Sequence, residues 1–152
     1  MNDDQTKTYV SFDNGENFQA LKLEENDTEC HPNNCWIELD LTCKDIQIKN
    51  HFPENSIVQF KGKYHKYGST SRHIFVSFNA GNSWKMLDSR IDNLFIINHG
   101  QLLFGIQSTS GNIGYSYDEG STWFFENNGL DNLIDVIPIG YPHYDLIGVI
   151  AF

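Results

Sequence analysis

Three segments of this sequence align with one another without gaps. They are Tyr9-Val10-Ser11-Phe12-Asp13-Asn14-Gly15-Glu16-Asn17-Phe18, Phe75-Val76-Ser77-Phe78-Asn79-Ala80-Gly81-Asn82-Ser83-Trp84 and Gly114-Tyr115-Ser116-Tyr117-Asp118-Glu119-Gly120-Ser121-Thr122-Trp123. Each has a Ser, an acid or amide two positions on, a Gly two further, and an aromatic three beyond that. Residues ahead of each Ser alternate as in a strand. An Asp or Asn side chain can bond backbone N–H groups two residues on. Gly takes a positive φ at little steric cost. The Ser hydroxyl can bond back across the turn, and the closing aromatic can open the next strand. This is the Asp-box pattern, in three copies: box 1 (Ser11, Asp13, Gly15, Phe18), box 2 (Ser77, Asn79, Gly81, Trp84) and box 3 (Ser116, Asp118, Gly120, Trp123). Phe18, Trp84 and Trp123 are expected to be buried between sheets. Asp13, Asn79 and Asp118 read as turn residues rather than catalytic acids or metal ligands, and an amide such as Asn79 cannot act as a general acid at neutral pH.

Box spacing sets the architecture. Ser77 and Ser116 lie 39 positions apart, close to the roughly 40–45 residues of a four-stranded propeller blade. Ser11 and Ser77 lie 66 apart, one blade with an insertion of roughly 25 residues. Strand-like runs fill the intervals and almost nothing reads as an amphipathic helix. The fold class is therefore all-β: a partial β-propeller of about three blades' worth of four-stranded antiparallel sheets. The segmentation is a partial blade at 1–23, a blade with an insertion at 35–87, a blade at 94–126 and a partial blade at 133–152. The insertion falls in Glu24–Asn34 and Lys44–Ser56, with Lys63–Arg72 as a further loop. A chain phased in this way has unpaired sheet edges. Alone it is expected to be oligomeric or partly molten until the remaining blades are restored.

Composition agrees with a folded domain, at 39% hydrophobic and 14% aromatic residues. The net charge is -10 with only ten Lys and Arg, scattered rather than clustered, which argues against a nucleic-acid partner. This stretch carries no signal-peptide pattern and no run of membrane-spanning length. Cys30-His31-Pro32-Asn33-Asn34-Cys35 is a polar loop that a disulfide would pin, adding ~2 kcal/mol. A zinc site of Cys30, His31, Cys35 and Cys43 is the rival reading, although it lacks paired Cys-x-x-Cys knuckles. Cys43 reads as a small buried hydrophobe. Asn26-Asp27-Thr28 has the form of an N-glycosylation acceptor at Asn26. Asp boxes also occur in sialidases, whose chemistry clamps a carboxylate with three Arg; this chain has only Arg72 and Arg90. No cofactor, catalytic or metal-binding motif stands out among its six His and the acidic run Glu24, Glu25, Asp27, Glu29.

The order of elements resembles the C-terminal blades of the luminal propeller of the sortilin and vacuolar protein-sorting receptor family. The match is carried by Ser11-Phe12-Asp13-Asn14-Gly15, the Cys30–Cys35 loop, the strand Trp36-Ile37-Glu38-Leu39, boxes 2 and 3, and the apolar strand pair from Phe95 to Phe104. Phe18 in place of Trp and Asn79 in place of Asp are departures. The resemblance implies a non-catalytic binding module that takes peptide or protein ligands through Golgi and endosome. It also implies a Cys30–Cys35 disulfide in an oxidising lumen or on the outer face of a membrane receptor. On this reading the partners include the remaining propeller blades, and a membrane is reached only through C-terminal parts that this chain lacks. An Asp-box fragment of a glycan-processing enzyme or carbohydrate-binding protein is the alternative.

Overall fold

A computed structural model of the chain describes residues 6–24, 30, 33–41, 51–53 and 55–126, together with the strand backbones of Val136–Gly140 and Ile147–Ala151. Twelve strands and no α-helix of more than one residue occur among these. The chain divides into two compact units, Met1–Ser89 and Arg90–Phe152.

In the first unit, β1 (Tyr9–Val10) and β2 (Gln19–Ala20) form a short antiparallel ribbon. β3 (Cys35–Leu39), β4 (Val58–Lys66), β5 (Ser69–Ser77) and β6 (Lys85–Met86) form a four-stranded meander in sequence order. The segment ahead of β1 lies along β3: the Thr8 N–H donates to the Ile37 carbonyl at 3.0 Å, and the Leu39 N–H donates to Thr8 Oγ1 at 2.8 Å. Beyond β2 the chain reaches Trp84, whose N–H donates to the Lys22 carbonyl while its carbonyl accepts from the Glu24 N–H.

The core of this unit is Ile37, Leu39, Tyr64, Phe75 and Trp84. Ile74, Phe75, Val76 and Ser77 are all buried along β5, because a central strand covered on both faces reads as a continuous run rather than an alternation. Full burial of a side chain such as Phe75 stabilises the fold by about 1.5–3 kcal/mol.

The expected loop at Lys63–Arg72 is instead the far half of a long hairpin. β4 and β5 stay paired from Val58↔Ser77 to Lys66↔Ser69. Tyr67 and Gly68 turn the chain with φ of 48° and 80°, the two positive values of a type I′ turn, whose twist matches that of the strands. Polar side chains on the hairpin concealed an alternation that the paired register makes plain: Lys63 and His65 stand on β4 opposite Glu38 and Trp36 on β3.

In the second unit, β7 (Ile91–Ile97), β8 (Leu102–Gln107), β9 (Ile113–Ser116) and β10 (Phe124–Glu126) form another four-stranded antiparallel meander. β11 (Val136–Gly140) pairs with β12 (Ile147–Ala151). β7 turns into β8 through Asn98, His99 and Gly100, all at positive φ. Both meanders have the strand number and connectivity of propeller blades, and the fold is that of a partial all-β propeller. Asn26, His31 and Cys43 lie outside the described residues.

One close approach fixes the β3–β4 pairing. A Cβ at Gly62 would sit 2.5 Å from the Glu38 carbonyl oxygen and 3.1 Å from Leu39 Cα. Backbone cannot yield as a flexible side chain does. Gly62→Ala is expected to destabilise the chain by about 1–3 kcal/mol, read as a lower urea midpoint at an unchanged slope. An unaltered midpoint would mean that the two strands are not held this closely.

Candidate functional site

The three boxes fold into the same turn. Each joins two antiparallel strands in one register: Val10↔Gln19, Val76↔Lys85 and Tyr115↔Phe124, offset by nine positions in every case. In each, two consecutive residues take left-handed backbone: Asn14 and Gly15 (59° and 89°), Ala80 and Gly81 (57° and 89°), Glu119 and Gly120 (55° and 84°). An L side chain at such a φ is strained, so the turn must be held by specific bonds.

The Ser hydroxyl supplies two of them. Its oxygen accepts the Gly N–H at 2.8 Å in box 1, 2.8 Å in box 2 and 2.9 Å in box 3. Its proton goes to the acid or amide oxygen: Ser11 to Asp13, Ser77 to Asn79 and Ser116 to Asp118, at 2.8, 2.9 and 2.8 Å. That same oxygen accepts the N–H four residues on, from Asn17, Ser83 and Thr122. Sequence reasoning expects this bond two residues on. The N–H at that position belongs to the Gly and is already taken by the Ser.

Box 2 reverses one polarity. Asn17 Nδ2 donates to Asp13 Oδ2, whereas Asn79 Nδ2 donates to Ser83 Oγ at 2.8 Å. The amide at position 79 is thus matched by an acceptor at position 83. A further bond leaves no trace in the residue pattern: the indole N–H of Trp84 donates to the Gly81 carbonyl, and that of Trp123 to the Gly120 carbonyl. Phe18 has no such N–H. It is also 66% exposed, against 3% for Trp84, and Trp123 is half-buried. Burial of Phe18 is therefore not found. It sits on a two-stranded ribbon, where one shallow groove of about 260 Å³ runs between Val10, Phe12 and Phe18.

Cys30 and Cys35 are joined by a disulfide, with Cα atoms 5.6 Å apart. This removes the thiolates that a zinc site would need. Tyr64 lies against the bridge, its hydroxyl 3.0 Å from Cys30 Sγ. On the other face of the β3–β4 pair, Glu38 accepts from Lys63 at 3.0 Å and meets His65 Nε2 at 2.9 Å, while Trp36 stacks on the His65 ring. These bonds, led by Lys63, hold the Glu38 carboxyl below its usual range. Both Arg side chains are engaged: Arg72 pairs with Asp40, and Arg90 covers the Phe125 ring at 4.5 Å.

The family model Sortilin-Vps10 (sortilin, neurotensin receptor 3) matches residues 1–127. This chain belongs to the Sortilin-Vps10 family. No curated protein matches it. Members of the Sortilin-Vps10 family are sorting receptors, generally non-catalytic, in which this domain is luminal or extracellular. Among the described residues no helix is long and apolar enough to cross a membrane. The matched span takes in all three boxes, the disulfide loop and both four-stranded sheets.

The boxes carry a pH dependence. The Asn17 backbone N–H, then the Asn17 side chain and Ser11, pull Asp13 from an ordinary 3.8 down to about 2. Thr122 and Ser116 do the same to Asp118. Carboxylates depressed on folding contribute stability that is present above about pH 4 and lost as pH falls towards 2. Unfolding by urea should therefore become easier across that window, and Asp118→Asn should flatten part of the dependence, since Asn79 shows that an amide fits this turn. An identical acid dependence in the variant would mean that the Asp118 bonds do not form.

Proposed function

We propose that this chain is a ligand-binding segment of a sortilin-like sorting-receptor ectodomain, taking peptide or protein cargo through Golgi and endosome without catalysing a reaction. The observation that carries this reading is the Sortilin-Vps10 match across residues 1–127. The Cys30–Cys35 bridge supports it, since disulfides persist in oxidising compartments. So does the engagement of Arg72 and Arg90 within their own sheets, which leaves no arginine clamp of the sialidase kind. The box acids support it too: held near 2, they are ionised at neutral pH and serve the turns rather than donating protons. Within this reading, 35–87 and 94–126 are whole blades, 1–23 and 133–152 are partial ones, and Asn26 is a glycan acceptor.

The test is cellular and uses the complete gene product. A tagged protein should co-sediment with Golgi and endosomal membranes, with residues 1–152 protected from added protease until detergent is present. Deleting the gene should divert at least one soluble endosomal or vacuolar protein into the medium. A protease-accessible cytosolic protein, or a null strain with unaltered secretion, would contradict the proposal.

A further inference from the structure

Each box holds one left-handed residue that is not Gly, and it differs among the three: Asn14, Ala80 and Glu119. All three are exposed, so solvent reaches this position whether the box lies on a two-stranded ribbon or in a four-stranded sheet. Asn tolerates left-handed backbone better than most side chains, which accounts for its fit at position 14. It also brings chemistry that Ala and Glu lack. The side-chain carbonyl carbon of an Asn is one ring closure away from the nitrogen of the next residue. Gly has no Cβ to keep that nitrogen at a distance. Asn14 precedes Gly15, and no other Asn among the described residues is followed by Gly. Asn128-Gly129 lies outside them.

We propose that Asn14 is a deamidation site whose rate is set by the box 1 turn. The Gly15 nitrogen gives its proton to solvent base and attacks Asn14 Cγ. The side-chain nitrogen takes up a proton and leaves as ammonia, which closes a cyclic imide. Water then opens the imide at either carbonyl. One product is Asp; the other is isoaspartate, in which the chain runs through Cβ and Cγ.

Two features set the rate. In the closed turn the Gly15 N–H donates to Ser11 Oγ at 2.8 Å, and Ser11 is itself fixed by donating to Asp13 Oδ1 at 2.8 Å. A nitrogen whose proton is held in this way does not attack, so conversion waits on local opening of the turn. Opening is easier in box 1 than in boxes 2 and 3. There an indole N–H, from Trp84 or Trp123, ties the aromatic to the Gly carbonyl. Phe18 has no N–H to give to the Gly15 carbonyl, whatever packs over its ring. The Asp product keeps the backbone of the turn. Isoaspartate places an extra backbone carbon between positions 14 and 15, and a new carboxylate next to Asp13, so the Gly15 N–H no longer meets Ser11 as built. The proposal is independent of the sorting role.

The test follows the complete gene product, purified and held for weeks at neutral pH, both folded and in denaturant, with each Asn scored by peptide mapping. In the folded protein Asn14 should convert ahead of Asn17, Asn79 and Asn82. The products should be an Asp peptide and an isoaspartate peptide, the second a substrate for an isoaspartyl methyltransferase. Ser11→Ala should speed conversion of the folded protein several-fold. Phe18→Trp, which supplies the indole, should slow it several-fold and keeps the test decisive where Ser11→Ala does not fold. In denaturant the parent and both variants should convert alike. Asn14 left intact in the folded protein while the denatured chain converts would overturn the proposal. So would a folded rate that either variant leaves unchanged or moves the opposite way.

Discussion

A serine hydroxyl that accepts one hydrogen bond and donates another is the contact on which each of the three box hairpins turns. Two left-handed residues in succession reverse the strand, and one of them carries a side chain in every box: Asn14, Ala80 or Glu119. Left-handed backbone costs roughly 1–2 kcal/mol for such a residue. The offset comes from the Ser oxygen on the Gly N–H, the Ser proton on the acid or amide, and the N–H four residues on. Each such bond contributes about 0.5–1.5 kcal/mol net, and leaving a buried partner unsatisfied costs about 1–3 kcal/mol. Ser77 and Ser116 are fully buried, so in boxes 2 and 3 the larger cost applies.

The turn in turn sets what the sheets can bury. With the offset of strand partners fixed, Phe75 on β5 is brought opposite Met86 on β6, and Tyr115 on β9 opposite Phe124 on β10. A one-residue slip would exchange the two faces of a strand. Trp84 shows how the box and the core are one arrangement: its indole N–H closes the turn while its ring sits in the cluster with Ile37, Leu39, Tyr64 and Phe75. Box 1 lacks the indole and sits on a two-stranded ribbon, and Phe12 and Phe18 are 50% and 66% exposed.

Most of this architecture is legible in the sequence, for a physical reason. A turn built from two left-handed residues admits few side chains, so the Ser, Asp or Asn, and Gly positions stand out when repeated. The β4–β5 hairpin was hidden because its outer half carries Lys63, His65, Lys66 and Arg72, residues that read as loop. The partners of Lys63, His65 and Arg72, which are Glu38 on β3 and Asp40 just beyond it, lie far away in sequence. Exposure of Phe18 was equally hidden, since a residue pattern describes a strand face and not what lies over it. The box aromatics could be placed from sequence, but their indole bonds to the Gly carbonyls depend on ring orientation, which no pattern records.

Amide hydrogen exchange tests the central claim most directly. The N–H groups of Gly81, Gly120, Ser83 and Thr122 lie in turns, where amides outside a hydrogen-bonded ladder ordinarily exchange fast. Held by Ser77, Ser116, Asn79 and Asp118, they should instead be protected to a degree comparable with the amides of β5 and β9, and Ser77→Ala should release Gly81 selectively. Exchange of these four amides at the rate of an unstructured peptide, with β5 and β9 still protected, would contradict the account.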